Sequence, residues 1–228
     1  MNKKPQTTPE AAPSKEEQEG IIQFEVDHRY CTLDFDLYHL PFQTLNHWRT
    51  RLYQLGLIGV DPKRYAGIGF GNLSMRLPHD PSSFLITGSQ TGLLKQLDLD
   101  QYCRILKYDF QKHTLQSEGQ TLPSSESMTH AMMYQIDPRI QAVFHVHSPR
   151  LWNSNVCQFP STPDDVGYGT LAMTQCVYDL YHTTSLSQFD STPQGGHLRM
   201  GGHQDGMISI GSHPNLVGQR LLKIWNEA

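Results

Sequence analysis

Residues 122–149 read LPSSESMTHAMMYQIDPRIQAVFHVHSP, and the hydrophobic period changes partway through them. Met128, Ala131, Met132 and Ile136 recur at helical spacing and form an apolar stripe. Ser124 or Ser125 is expected to cap this helix, because a short hydroxyl accepts from an N–H left unpaired in the first turn. Glu126 and His130 sit four apart on another face. Asp137-Pro138 ends the helix, since a proline pushes the preceding residue out of the helical region. From Ile140 the period is two. Ile140, Ala142, Phe144 and Val146 alternate with Gln141, Val143, His145 and His147, so both histidines leave one side of a strand. Two imidazoles side by side on a rigid strand suit a divalent transition metal. Taken alone, the pair fits a solvated strand face equally well.

A chain of 228 residues can bury one sizeable core, and no linker divides it, so a single domain over residues 21–228 is expected. Residues 1–20 are rich in Pro, Lys and Glu with little to bury, and read as a disordered tail. They lack the apolar run of a signal peptide, and no segment is long and apolar enough to span a membrane. The net charge of −4, with no basic run, argues against nucleic acid as a partner. Cys31, Cys103, Cys157 and Cys176 are scattered with no C-x-x-C, as reduced thiols of a cytoplasmic protein would be.

Towards the N-terminus, residues 21–25 read as a short strand and residues 29–42 show no clean period. A helix is expected over residues 43–55, with Leu45, Trp48, Leu52 and Leu55 on one side and Gly56 ending it. The glycines from Gly67 to Gly71 lack the G-x-G-x-x-G spacing, and Leu73, Met75 and Leu77 beyond them alternate as in a strand, so a dinucleotide loop is rejected. Strands over residues 72–77 and 84–87, joined by a turn at residues 79–83, fit better. Gly71-Asn72 and Ser89-Gln90-Thr91-Gly92 then lie in tight loops that either serve as ordinary turns or offer N–H groups and hydroxyls to an anion. A short helix at 97–102 and a hairpin of 104–109 with 113–116 precede the opening stretch. Beyond it come a loop to residue 163, a helix from Tyr168-Gly169-Thr170 to His182, and a loop over 185–196. A strand at 207–210 and a final helix from Ser212 complete the chain, the latter with Pro214 in its first turn and Val217, Leu221 and Ile224 on its buried side.

A catalytic zinc-type site needs about three protein ligands and an open position. His203 is the best third candidate, because it lies in a glycine-rich loop directly before a strand, where backbone packs closely. Glu126 is either a fourth ligand or a base beside the metal. A cupin does not fit, since residues 148–153 contain no glutamate, and an H-x-H-x-D-H hydrolase does not fit, since Pro149 and Arg150 stand where it needs an aspartate and a histidine.

These residues, in this order, resemble the class II aldolase/adducin family of sugar-phosphate aldolases, epimerases and dehydratases. The matching motifs are Gly71-Asn72-Leu73-Ser74-Met75-Arg76, Ile86-Thr87-Gly88-Ser89-Gln90-Thr91-Gly92 and Leu122-Pro123-Ser124-Ser125-Glu126. Val143-Phe144-His145-Val146-His147 is next, then His203 ahead of Gly206-Met207-Ile208-Ser209-Ile210-Gly211. The resemblance implies a three-layer α/β/α sandwich with a largely antiparallel central sheet, assembled as a homotetramer with sites at subunit borders. It implies a divalent metal on His145, His147 and His203, zinc first and manganese or cobalt as alternatives, with Glu126 as acid/base. Gly71, Asn72, Thr91, Gly92, Ser124 and Ser125 fall where the family holds a substrate phosphate. Tyr168 matches a catalytic tyrosine presented across the subunit border. The implied function is that of a lyase, cleaving a small phosphorylated keto sugar or related hydroxy-ketone through a metal-stabilised enediolate. An epimerase, a dehydratase and a non-catalytic adducin-like interaction protein are the alternatives. Two departures stand out. His203-Gln204-Asp205-Gly206 replaces the usual His-Gly or His-His-Gly, and the chain ends with no room for the further C-terminal tyrosine of the sugar-phosphate aldolases.

Overall fold

Alternation along the strands sorts side chains between two cores. The structure, a computed structural model, describes residues 20–154, 158–191 and 195–228. The elements in chain order are β1 (Glu25–Tyr30), α1 (Phe35–Gln54), β2 (Asn72–Leu77), β3 (Asp80–Thr87), β4 (Tyr102–Asp109) and β5 (Thr114–Gly119). Then come α2 (Ser127–Ile136), β6 (Ala142–His147), α3 (Pro149–Trp152), α4 (Leu171–Thr183), β7 (His197–Arg199), β8 (Gly206–Gly211) and α5 (Pro214–Glu227). The strands form one sheet in the order β1-β5-β4-β3-β2-β6-β8-β7. Within it β1 runs parallel to β5, and every other neighbouring pair is antiparallel.

On one face Phe84, Ile86, Val143, Ile208 and Ile210 pack with Met128, Met132, Met173 and Val177 of α2 and α4. On the other, Leu73, Leu85, Phe144, Val146 and Met207 pack with Leu45, Trp48, Val217 and Leu221 of α1 and α5. The result is helix, sheet, helix. Because His145 and His147 share parity with Val143, they face the α2–α4 layer.

Several local expectations are corrected. α1 starts eight residues early, at Phe35, with the Asp34 side chain accepting from Asp36 N at 3.0 Å. Its start was hidden because Pro41 lies inside the helix while Phe35, Leu37 and Leu40 are exposed, which blurs the apolar face. The first strand is residues 25–30 rather than 21–25. It is an edge strand, so its alternation is weak. β3 reaches back to Asp80, and β5 extends to Gly119. Residues 97–102 hold only the turn Leu99–Gln101. The expected loop after Pro149 begins with α3, capped by Ser148, and β7 adds a strand that the sequence did not signal. The cap of α2 is Glu126 itself, not Ser124 or Ser125. The Ser124 carbonyl accepts from Ser127 N at 3.0 Å. The expected disordered tail, apart from Gly20, and Cys157 lie outside the described residues. No helix among the described residues is long and apolar enough to cross a membrane.

Candidate metal centre

β6 ends the sheet's central run with His145 and His147 on the α2 side, and the turn before β8 brings His203 against them. One ring nitrogen from each of the three lies within 4.8 Å of the others, and all three residues are buried. The Nε2 atoms of His145 and His147 are 2.9 Å apart, and the His145 and His203 rings stack with centroids 5.0 Å apart. His145 Nδ1 is 3.1 Å from the Met207 carbonyl, which can only accept. Nδ1 therefore carries a proton, which leaves Nε2 as the atom that would ligate an ion.

Glu126, at the start of α2, closes the group from the helix layer. Its Oε2 is 2.9 Å from His145 Nε2 and its Oε1 is 3.1 Å from His203 Nδ1, while Asn72 Nδ2 donates to Oε2 at 2.9 Å. Burial alone would raise this carboxyl. The charge of His145 and His203 and their hydrogen bonds outweigh it and hold Glu126 well below the usual carboxylate range. His147 is pushed well below the ordinary imidazole value by burial and then by the charge of His203 and His145, so it is neutral, the form that ligates. Protons on His145 and His203 balance the buried carboxylate, and a divalent ion held at the same point would take their place. Three nitrogens and one oxygen form a donor set that fits zinc or a neighbouring transition ion.

The residues matched to phosphate binding come from three segments that adjoin. Gly88 bridges Pro123, and Ser89 N donates to Leu122 O at 2.8 Å, which sets the loop of Thr91 and Gly92 beside the Ser124-Ser125 turn. Gly92 lies so close to the Gly59–Phe70 bridge that a Cβ would stand 2.7 Å from Gly59 O and 2.8 Å from Phe70 N, next to Gly71. In this conformation Asn72 donates to Glu126, Thr91 Oγ1 donates to Gly88 O at 2.9 Å, and Ser124 Oγ accepts from Glu126 N at 3.4 Å.

Tyr168 stacks on His203 of its own chain, with centroids 4.5 Å apart, and its hydroxyl accepts from Ile21 N at 3.0 Å.

Three contributors escaped the sequence reading. Arg49 is buried in α1 and donates to the carbonyls of Thr91 (3.0 Å), Lys95 (2.7 Å) and Leu94, holding the loop that carries Thr91 and Gly92. An arginine inside the apolar stripe beside Leu45, Trp48 and Leu52 was the available signal. His130 Nδ1 lies 2.7 Å from Ser74 Oγ, which also meets the Tyr134 hydroxyl at 2.7 Å. Burial lowers the His130 pKa to about 3, so it is a neutral part of the wall beneath Glu126. Tyr65 packs edge-on to His147, with centroids 4.7 Å apart, and no local pattern marked it.

Sequence comparison finds no match among curated proteins. Solved structures share the fold, three of them as follows. YgbL from Escherichia coli, provisionally assigned as an aldolase/epimerase/decarboxylase, is 17% identical with a TM-score of 0.57, covering 84% of this chain and 87% of that one. An L-fuculose 1-phosphate aldolase is 16% identical with a TM-score of 0.58, covering 86% and 84% respectively. A sugar-phosphate aldolase from Thermotoga maritima is 14% identical with a TM-score of 0.58, covering 82% and 92%. The family model of the class II aldolase and adducin N-terminal domain matches residues 60–176, just over half of the sequence. By that match, and in agreement with its fold, the chain belongs to the class II aldolase and adducin family.

Proposed function

We propose that the protein is a metal-dependent aldehyde-lyase that cleaves a small phosphorylated keto sugar or related hydroxy-ketone. The observation that carries this reading is the buried convergence of His145, His147 and His203 on Glu126. A divalent ion held by the three histidines, zinc first and manganese or cobalt next, would supply Lewis acidity toward the oxygens of a hydroxy-ketone. Glu126 moves the proton, and Asn72 keeps its carboxylate aimed at the centre. Gly71, Asn72, Thr91, Gly92, Ser124 and Ser125 receive the substrate phosphate at strand ends and at the start of α2, where N–H groups favour an anion. Tyr168, stacked on His203, is the second acid–base group. Assembly as a homotetramer and residence in the cytoplasm belong to the same reading. Two fold neighbours, an L-fuculose 1-phosphate aldolase and a sugar-phosphate aldolase, favour cleavage over epimerisation or dehydration.

The test combines metal analysis with a screen of ketose phosphates for aldehyde release, with product NMR to detect isomers and dehydration products. The wild type should bind about one ion per chain and release an aldehyde. Glu126→Gln should keep its fold and most of its metal while losing activity by roughly 10²- to 10⁴-fold. Isomerised or dehydrated products in place of an aldehyde would replace the lyase reading with an epimerase or dehydratase. Full activity in the Gln variant would remove Glu126 from the mechanism.

A further inference from the structure

The turn His203-Gln204-Asp205-Gly206 is longer than the family pattern, and the proposed lyase mechanism gives its Asp205 no part. Asp205 and Tyr65, 140 residues apart, meet in a buried hydrogen bond in which the phenol donates to Oδ2 at 2.6 Å. The two residues are 5% and 3% exposed. Each also adjoins the metal-binding group, Tyr65 by contact and Asp205 through the backbone. The Tyr65 ring stands edge-on to His147 and packs on Phe70 at 5.1 Å. Asp205 lies two residues after His203, and its carbonyl accepts from Ser148 N, next to His147, at 2.9 Å. The bond thus ties the turn of one histidine to the ring that braces another.

The bond joins two stretches of unfavourable backbone. Tyr65, Ala66 and Asp205 have φ of 51°, 53° and 61°, three of the five non-glycine residues in the left-handed region among those described. Such conformations cost about 1–2 kcal/mol each for most residues and persist where the surroundings over-determine them. A role in packing alone would be served by phenylalanine facing an apolar residue, with no buried carboxylate to desolvate.

We propose that Tyr65 and Asp205 are a positioning pair that fixes the His203 turn and the His147 ring, and so sets the affinity and geometry of the metal centre. The inference rests on the metal-binding reading. The residues act through the histidines rather than on substrate.

The test uses the full chain, with zinc and cobalt as the probes. Zinc affinity is measured by chelator competition, ligand geometry by the visible absorption of the cobalt-loaded protein, and folding by thermal melting. Tyr65→Phe and Asp205→Ala should each fold, bind zinc 10- to 100-fold more weakly and change the cobalt spectrum. Asp205→Asn, which keeps an oxygen acceptor and tolerates the left-handed backbone, should retain most of the affinity. The double variant Tyr65→Phe/Asp205→Ala should be little worse than either single one, because both remove the same bond. Variants that melt lower yet match the wild type in zinc affinity and cobalt spectrum would overturn the proposal and leave a packing role. A wild type that takes up neither metal would overturn the metal reading itself, and this one with it.

Discussion

Asp137 ends α2 and accepts from the Arg139 backbone N at 2.8 Å, from the Arg139 guanidinium at 2.5–3.1 Å, and from the Tyr181 hydroxyl of α4. Burial would raise its pKa, but these donors outweigh burial and bring it from the usual 3.8 down to about 2. A carboxylate whose folded pKa is depressed stabilises fully above the unfolded value and loses that contribution as pH falls through the folded one. Wild-type stability, read from urea midpoints, should therefore hold down to about pH 4 on this account and decline towards pH 2. Asp137→Asn should be less stable near neutrality and flatter across that window. Parallel curves for the two proteins would show that the contact contributes nothing. Glu126 is more deeply buried than Asp137, and its ionic partners are histidines rather than an arginine. A guanidinium stays charged at any working pH, whereas an imidazole gives up its proton and can ligate.

The helices α1 and α5 meet where Gly218 faces the Trp48 ring, and a Cβ there would lie 2.2–2.4 Å from the ring carbons. Trp48 has little room to yield. It packs on Phe144 beneath it, and its Nε1 donates to Asn215 Oδ1 of α5 at 2.8 Å. Alanine suits a helix better than glycine by roughly 0.5–1 kcal/mol, but overpacking a filled contact costs about 1–3 kcal/mol, so the clash wins. Gly218→Ala should lower stability by about 1–2 kcal/mol in urea unfolding. Zinc uptake should be unchanged, because this layer covers the sheet face opposite His145 and His147. A stabilised variant would mean that the helices separate more easily than their contacts indicate.

Across the whole molecule, the candidate metal centre joins β6, the turn before β8 and the start of α2, so it ties the sheet to one helix layer. An ion that binds only the folded chain adds about 2.7 kcal/mol at a hundred times its Kd. For a chain of this size each kcal/mol moves Tm by about 2–4 °C, so zinc should raise Tm by about 5–10 °C. Chelation should reverse the shift and His203→Ala should abolish it. A melting curve indifferent to zinc and chelator would count against a metal bridging these elements. Much of this arrangement was legible in the sequence. The period-two run put His145 and His147 on one side of β6, the period of 3.6 gave α5 and its buried Val217, Leu221 and Ile224, and ordered motifs pointed to the family. Those features arise from neighbours along the chain, whose spacing alone fixes which way they face. Only the tertiary structure decided that β1 pairs with β5, that Asn72 holds Glu126 across 54 residues, and that Tyr65 reaches Asp205 across 140. The physical reason is that such contacts depend on strand order and on how the loops close over the sheet, and no local period records either.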